Sequence, residues 1–210
     1  MCKARIAVLV SGGGTNLQAI IDAERAGLIP HGEIALVVSS KAGVYALERA
    51  AKAGIPSTVI PRREMSEKEF EDHLIAALVF EDIDLVVLAG FLTILGPRVI
   101  ANYPDRIINV HPSLIPSFCG AGYYGLRVHE AALAYGVKVT GATVHLVNEI
   151  PDGGKILLQQ AVEIREDDTP ETLQRRVMEE AEWKLLPAAC EMMCEKIVTA
   201  PAPWDKPKAD

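Results

Sequence analysis

The sequence predicts an α/β protein whose doubly wound, Rossmann-like sheet is mostly parallel and carries an antiparallel C-terminal extension. Two observations lead to this fold class. In the first half of the chain, short apolar runs alternate with stretches of helical periodicity, which is typical of a parallel sheet covered by helices. In the second half, two strand-like runs follow one another with no helix between them, so we expect them to pair antiparallel.

The first half contains four predicted strands, each followed by a helix or a polar break. Strands are expected over residues 5–10, 34–38, 57–60 and 85–88, and helices from residue 17 onward, over 44–53 and over 66–80. Ser66, with Glu69 three residues later, has the pattern of a capping box and marks the start of the third helix. A further apolar run, ending in Asn109-Val110-His111, predicts the next strand.

After this strand the alternation of strands and helices stops. Prolines and glycines over residues 112–125 predict a loop, residues 128–135 a short helix, and residues 138–147 and 155–164 the antiparallel pair. A long helix is expected over 170–198, capped by Thr169 before Pro170 and bent at Pro187. We expect a single domain over residues 1–200 and a mobile tail, rich in proline and charge, over 201–210.

Composition favours small molecules as partners. A net charge of −7 and a pI near 5.3 argue against a nucleic-acid binder, which would carry a basic surface. The most apolar run, residues 85–95, is too short to span a bilayer, and the N-terminus lacks a signal-peptide pattern, so we expect a cytoplasmic protein that binds no membrane. The four cysteines lack the spacing of zinc ligands, which predicts reduced thiols and no metal.

Asn109 and His111 are the strongest candidates for a catalytic pair. They lie two residues apart at the end of an apolar strand, so their side chains leave the same face of the sheet. An amide and an imidazole can both donate hydrogen bonds to one substrate atom, as an oxyanion site requires. Taken alone, such a pair is more often a strand end capped by turn formers before a proline.

The loop Gly-Gly-Gly-Thr-Asn of residues 12–16 is a candidate phosphate site. It lies between the first strand and the first helix, where the free N–H groups of a helix N-terminus can bind an anion. A dinucleotide site is a weaker interpretation, because Leu17 stands where a third small residue is needed and the second strand ends in Ser39-Ser40 instead of an acid. No lysine follows the glycines, which excludes a P-loop. A plain tight turn is the alternative.

Asp152, in the polar loop between the two C-terminal strands, is the candidate partner of His111. A carboxylate near this imidazole would favour its charged form and fix its tautomer, making His111 a proton donor. By itself, the run Asp-Gly-Gly of residues 152–154 is typical of a turn. His129 and His145 fall in a helical and a strand pattern, and we interpret them as packed or surface residues.

Five motifs together resemble a known family. They are SGGGTNLQA at residues 11–19, LAGFLTIL at 88–95, INVHPSLIP at 108–116, GATVH at 141–145 and DGG at 152–154. In this order, over nearly the whole chain to Pro187, they are similar to the phosphoribosylglycinamide formyltransferases of purine synthesis. The coincidence of several motifs is far more specific than any single one.

The resemblance implies a role for each motif. Asn109, His111 and Asp152 would be catalytic. The residues implied to hold phosphoribosylglycinamide are Gly14, Thr15, Asn16 and Glu182. Those implied to enclose the donor 10-formyltetrahydrofolate are Leu92, Thr93, Ile94, Leu95, Asn109, Asn148, Glu149, Ile150, Pro151 and Asp152. Thr93 stands where many relatives carry arginine, and a folate-contacting arginine near Glu67 or Lys68 has no counterpart here.

The implied activity is transfer of a formyl group from 10-formyltetrahydrofolate, as co-substrate, to the amine of phosphoribosylglycinamide, without a metal. The resemblance also allows the protein to form a homodimer. The alternatives are a formyltetrahydrofolate hydrolase, a formyltransferase acting on another amine, such as that of a tRNA or a sugar nucleotide, and a nucleotide-binding regulatory module. A regulatory module would keep the glycine loop without needing Asn109, His111 and Asp152 together.

Overall fold

The computed structural model describes residues 3–200, which form one seven-stranded mixed sheet. Its strands are β1 (Ala4–Val10), β2 (Gly32–Ser39), β3 (Ser57–Val59), β4 (Leu85–Leu88), β5 (Ile107–His111), β6 (Val139–Leu146) and β7 (Ile156–Glu163). The strand order is β3-β2-β1-β4-β5-β6-β7. The first five strands are parallel, while β6 pairs antiparallel with both β5 and β7. The predicted fold class is confirmed, including the antiparallel extension.

Helices cover the sheet between the strands. They are α1 (Thr15–Arg25), α2 (Tyr45–Ala53), α3 (Glu67–Phe80), α4 (Pro97–Asn102), α5 (Leu126–Tyr135), α6 (Pro170–Val177) and α7 (Trp183–Thr199). The sequence analysis missed α4 and a 3-10 turn at Arg62–Glu64, since both are too short to show a helical period. α4 begins with Pro97 in its first turn, and the buried Glu71 side chain accepts a hydrogen bond from the Arg98 N–H.

Side-chain caps fix two of the helix starts. Ser66 Oγ accepts from the Glu69 N–H while the Glu69 carboxylate accepts from the Ser66 N–H, which is the predicted capping box. Thr169 caps α6 in the same reciprocal way with Thr172, immediately before Pro170. Each cap satisfies N–H groups that a helix leaves without internal partners.

The long C-terminal helix is divided differently from the prediction. α6 ends at Val177, a π-helical segment spans Met178–Glu182, and α7 runs on through Pro187. In a regular α-helix the Pro187 ring would press against the carbonyl four residues earlier, at Trp183. The π-helical segment ends immediately before Trp183, so the irregularity lies upstream of the proline.

The central strand β1 is buried on both faces. Ile6, Val8 and Val10 pack in a core with α1 and α7, whereas Ala7 and Leu9 pack in a second core with α3. A strand covered by helices on both sides needs a nearly continuous apolar run, which is what β1 has. Because β1, β4 and β5 are neighbouring parallel strands, the polar loops that follow them emerge side by side at one edge of the sheet.

The predicted tail at 201–210 lies outside the described residues. Of the helices within residues 3–200, none combines the length and the apolar character that a membrane crossing requires.

Candidate active site

One cavity of about 770 Å³ opens at the carboxyl ends of β1, β4 and β5. This is where open α/β sheets bind their ligands. All the predicted site residues line it: Gly14, Thr15, Asn16, Leu92, Thr93, Ile94, Leu95, Asn109, His111, Asn148, Glu149, Ile150, Pro151, Asp152 and Glu182. The fold therefore brings together segments that lie far apart in the sequence.

The end of β5 presents Asn109 and His111 to the same side of the sheet, beside Asp152. His111 Nδ1 lies 3.5 Å from Asp152 Oδ2, and Asn109 Nδ2 lies 3.5 Å from Asp152 Oδ1. His111 is buried, and the Asp152 side chain is only 15% exposed. The amide, the imidazole and the carboxylate thus form one cluster at the cavity wall.

His145 is a fourth member of this cluster, which the sequence analysis missed. It lies directly opposite Asn109 in the antiparallel β5–β6 register, so both side chains point to the same face. Its Nδ1 is 2.8 Å from the Leu146 carbonyl, which can only accept, so Nδ1 carries a proton. Its Nε2 lies 3.1 Å from Asn109 Nδ2 and 3.4 Å from Asp152 Oδ1. The register of β6 against β5 was the signal that would have found it.

Burial decides the protonation of His111. Removal of the ring from water lowers its pKa, and the opposing effects of Asp152 and the Phe118 carbonyl do not outweigh burial. The expectation that Asp152 holds His111 in its charged form is therefore wrong for this structure, and the ring is neutral near pH 7. Since His111 Nε2 lies 2.8 Å from the Phe118 carbonyl oxygen, the single proton is on Nε2.

Asp152 remains ionised despite its burial. Burial alone would raise the pKa of its carboxyl group, but the His145 side chain, 3.4 Å from Oδ1, and the hydrogen bond from the Gly120 N–H lower the pKa overall. The Gly120 N–H donates to Oδ2 over 2.8 Å. The loop after His111 therefore contacts both catalytic candidates, through the Phe118 carbonyl and the Gly120 N–H.

Two glycines let the Asp152 loop close. Asp152 itself has a left-handed backbone with φ of 55°. A Cβ on Gly154 would lie 1.7 Å from the Leu146 carbonyl oxygen, and one on Gly153 would lie 2.6 Å from the Ile150 side chain. Glycines at 153 and 154 are thus required for the turn that carries the Asp152 carboxylate back toward β5.

The glycine loop supplies free amides at another wall of the cavity. Gly14 has φ of 72°, and α1 begins directly after it at Thr15. Within residues 3–200, the N–H groups of Gly14, Thr15 and Asn16 donate to no protein acceptor. Unpaired amides at the positive end of a helix form an anion site.

Glu182 lies beside this loop, at the end of the π-helical segment. Asn16 Nδ2 donates to Glu182 Oε2 over 2.7 Å, and both side chains are buried. Burial raises the pKa of Glu182 from 4.5 to about 7, although the Asn16 hydrogen bond opposes the shift. Asn16 Oδ1 is buried and has no hydrogen-bond partner in the described part of the chain. This polar pair is suited to a ligand with several hydroxyl or amide groups.

The loop after β4 forms an apolar part of the cavity. Leu92 and Ile94 are 57% and 73% exposed although they are apolar, and Ile150 of the Asp152 loop is 65% exposed. The Leu92 N–H donates to Ser11 Oγ over 3.1 Å, which ties this loop to the end of β1. Exposed apolar side chains that line a cavity fit a flat apolar ligand.

His129 is a packed residue, as the sequence indicated, but it also lines the cavity. It is fully buried, and neither ring nitrogen has a hydrogen-bond partner in the part of the chain that the structure covers. Burial and the nearby His111 lower the pKa of His129 to about 4, so it is neutral. Among residues 3–200, no group of three or more His, Cys, Asp or Glu side chains could hold a metal ion.

Two curated relatives match more than nine tenths of this chain. The chain is 43% identical over 199 residues to the trifunctional purine biosynthetic protein adenosine-3 of Homo sapiens, covering 93% of this chain and 19% of the human protein. It is 39% identical over 196 residues to the chloroplastic phosphoribosylglycinamide formyltransferase of Arabidopsis thaliana, covering 92% of this chain and 66% of the plant protein. The chain therefore spans less than two thirds of the length of the trifunctional relatives and about two thirds of the plant protein.

Solved structures with the same fold match most of both chains. Glycinamide ribonucleotide transformylase 1 from Symbiobacterium toebii superposes with a TM-score of 0.86 at 42% identity, over 92% of this chain and 88% of that one. Phosphoribosylglycinamide formyltransferase from Bacillus halodurans gives 0.84 at 38% identity, over 91% and 96%. Residues 4–190 match the formyl transferase family. On this likeness in sequence, fold and extent, the chain belongs to the formyl transferase family.

Proposed function

We propose that this protein transfers the formyl group of 10-formyltetrahydrofolate to the amine of 5-phosphoribosylglycinamide, giving formylglycinamide ribonucleotide and tetrahydrofolate in purine synthesis. One observation carries the proposal. The cluster of Asn109, His111 and Asp152 shares a single cavity with the free amides of Gly14, Thr15 and Asn16. A cavity with oxyanion donors on one wall and anion-binding amides on another suits a phosphorylated amine that attacks a carbonyl carbon.

The substrates have separate places in this cavity. The phosphate accepts from the amides of Gly14, Thr15 and Asn16, and Glu182 faces the ribose and glycinamide portion. The flat pterin of the formyl donor packs against Leu92, Ile94 and Ile150. Thr93, Leu95, Asn148, Glu149 and Pro151 complete this part of the wall. Both substrates then meet at Asn109 and His111.

Asn109 and His111 stabilise the charge that develops during transfer. The amine nitrogen attacks the formyl carbon, and the carbonyl oxygen becomes an oxyanion that accepts from Asn109 Nδ2 and His111 Nε2–H. His111 Nε2–H donates to the Phe118 carbonyl here, so the oxyanion replaces this acceptor. The C–N bond to the donor breaks as the intermediate collapses, and the released folate nitrogen takes a proton.

Asp152 guides the proton route. The attacking amine loses a proton, and the ionised carboxylate of Asp152 accepts this proton directly or through water. His111 is neutral in this structure, and negative charge on the oxyanion raises its affinity for a proton. Asp152 Oδ2 lies 3.5 Å from His111 Nδ1, so the carboxyl group can pass this proton to the ring, and the ionised carboxylate then stabilises the imidazolium. The imidazolium gives the proton to the folate nitrogen as the C–N bond to the donor breaks.

Assays with both substrates test the proposal. Loss of one oxyanion donor costs about a hundred- to a thousandfold in rate, so we expect Asn109→Ala and His111→Ala to lower kcat by that amount. Asp152→Asn, which cannot accept the proton, should lower kcat at least as much. The donor should release its formyl group only when phosphoribosylglycinamide is present. Deformylation without the amine would indicate a hydrolase, and near wild-type turnover of all three variants would refute the assigned roles.

A cytoplasmic location is part of the same proposal, although the Arabidopsis thaliana relative is chloroplastic.

A further inference from the structure

We infer that Arg49 on α2 is a positioning residue that orients the glycine loop and supplies the phosphate site with a positive charge that no carboxylate of the described residues neutralises. Arg49 is not among the residues that line the cavity. The inference rests on the proposed function, because it takes residues 14–16 as the phosphate site.

Helix α2 holds two carbonyls of the glycine loop. The Ala46 N–H donates to the Gly12 carbonyl over 3.2 Å, and Arg49 Nε donates to the Gly13 carbonyl over 2.9 Å. In a trans peptide the carbonyl and the N–H of one unit point in opposite directions. By drawing these carbonyls toward itself, α2 turns the N–H groups of Gly13 and Gly14 away from it, and Gly13 and Gly14 both line the cavity.

Close packing makes this orientation strict. A Cβ on Gly14 would lie 2.7 Å from Ala46 Cβ, so α2 rests directly on the glycine loop. Arg49 Nη1 also donates to Gln18 Oε1 on α1 over 2.9 Å. Arg49 thus links α2 to the loop and to the helix whose N-terminus follows the loop.

The charge of Arg49 has no acidic partner among residues 3–200. In the described part of the chain, no carboxylate oxygen lies within 4.0 Å of its guanidinium, although the net charge is −7. Asp22 joins this network only through the Gln18 amide, at 2.8 Å. The guanidinium instead lies over the Tyr45 ring, 4.9 Å from its centroid. An unneutralised cation bonded to an anion-binding loop raises its affinity for a phosphate.

Substitutions at Arg49 separate geometry from charge, with Lys52→Met as the matched control. Lys52 is a cation on the same helix, 5.1 Å from the same Tyr45 ring, and it contacts Glu48 at 4.0 Å and not the glycine loop. We expect Arg49→Met to raise KM for phosphoribosylglycinamide about 10- to 100-fold, the effect of losing a charged hydrogen bond. Arg49→Lys should raise it less, because the charge remains while the planar Nε donor is lost. Lys52→Met should stay within about twofold.

Three further measurements distinguish a positioning role of Arg49 from a general loss of structure. For Arg49→Met, kcat at saturation and KM for 10-formyltetrahydrofolate should be unchanged. With ribosylglycinamide, which lacks the phosphate, Arg49→Met and wild type should have equal KM. The wild-type KM for the phosphorylated amine should rise with salt more steeply than that of Arg49→Met.

Several outcomes overturn the inference. They are an unchanged KM in Arg49→Met, an equal rise in Lys52→Met, or an equal rise for the phosphate-free amine. If Arg49→Met does not fold by thermal melting, the same comparisons are made with Arg49→Lys and overturn the inference in the same way. Failure of the wild type to formylate phosphoribosylglycinamide would instead refute the proposed function.

Discussion

At the scale of single residues, the chemistry of the candidate site depends on which buried groups carry protons. Burial lowers the pKa of His111 and leaves it neutral, while the contacts of Asp152 lower the carboxyl pKa against the effect of burial. A neutral ring beside an ionised carboxylate avoids the cost of removing a second charge from water. His111 can then donate through Nε2–H and gain a proton only when charge develops on the substrate.

His145 is expected to set the ionisation of Asp152. Its hydrogen bond lowers the pKa of Asp152, so His145→Ala should raise that pKa and move the acid limb of kcat/KM to higher pH. Losing a hydrogen bond to a charged group costs about 1.5–3 kcal/mol, which predicts a fall in kcat/KM of about ten- to a hundredfold on the acid limb, with little change at neutral pH, where Asp152 stays ionised. A pH–rate profile measures both effects. His73→Ala, an exposed histidine on α3, is the control, and an unmoved acid limb would contradict the assignment.

Glu182 should make folding stability depend on pH. Its pKa is raised from 4.5 to about 7, so stability is fully present while the group is protonated below pH 4.5 and is lost as pH rises through about 7. Glu182→Gln cannot ionise, and relative to it the wild type should lose about 3 kcal/mol across this window. Urea unfolding at pH 5 and pH 8 measures the difference, with the exposed Glu180→Gln as control. A difference that does not change with pH would count against a buried, titrating Glu182.

At the scale of elements, the site is built from strand ends and from the short turns that hold them. β5 supplies Asn109 and His111, β6 supplies His145 opposite Asn109, and the β6–β7 loop returns Asp152 to the same place. The loop closes only because Gly154 has no side chain next to the Leu146 carbonyl. The geometry of the carboxylate is therefore a property of the turn.

Gly154→Ala should damage both stability and activity. Its Cβ would lie 1.7 Å from the Leu146 carbonyl oxygen, so backbone must move and Asp152 with it. Overpacking of this kind costs about 1–3 kcal/mol, and we expect a clear fall in kcat. Gly136→Ala is the control, because φ there is 84° but nothing lies within 4 Å, so only local strain of about 1–2 kcal/mol is added, with kcat unchanged. Chemical denaturation and steady-state kinetics measure the two effects. An equal change of kcat and of stability in the two variants would contradict this role of Gly154.

At the scale of the whole molecule, one sheet edge collects groups from nearly the full length of the chain. The cavity is lined from Gly12 in the loop after β1 to Glu182 before α7. A ligand that contacts both the glycine loop and Asn109 therefore connects distant parts of the fold. Its binding should raise the free energy of unfolding of the whole domain.

Phosphoribosylglycinamide should raise the melting temperature. At a concentration of 100 times Kd, binding to the folded state alone adds about 2.7 kcal/mol. For a chain of this size, each kcal/mol shifts Tm by about 2–4 °C, which predicts a rise of roughly 5–10 °C. Calorimetry measures it, with ribosylglycinamide at the same concentration as the control. A phosphate-free amine that shifts Tm equally would show that the glycine loop contributes nothing to binding.

Much of the fold and of the candidate site could be predicted from the sequence, because the signals are local. Apolar runs, helix caps and the alternation of elements are set by neighbouring residues, and the motifs around Gly14, Asn109 and Asp152 carry their chemistry in a few adjacent side chains. α4 was missed because six residues hold less than two helical turns. The irregularity near Pro187 was placed at the proline, although it lies in the π-helical segment upstream.

The sequence by itself therefore determined the fold class, the order of the elements and the residues placed at the strand ends. Only the tertiary structure decided that His145 lies beside Asn109 and Asp152, that Arg49 holds the glycine loop, and that burial keeps His111 neutral. Strand register and burial depend on residues far apart in the chain. Protonation depends on the balance between loss of water and nearby charges, which no local pattern contains.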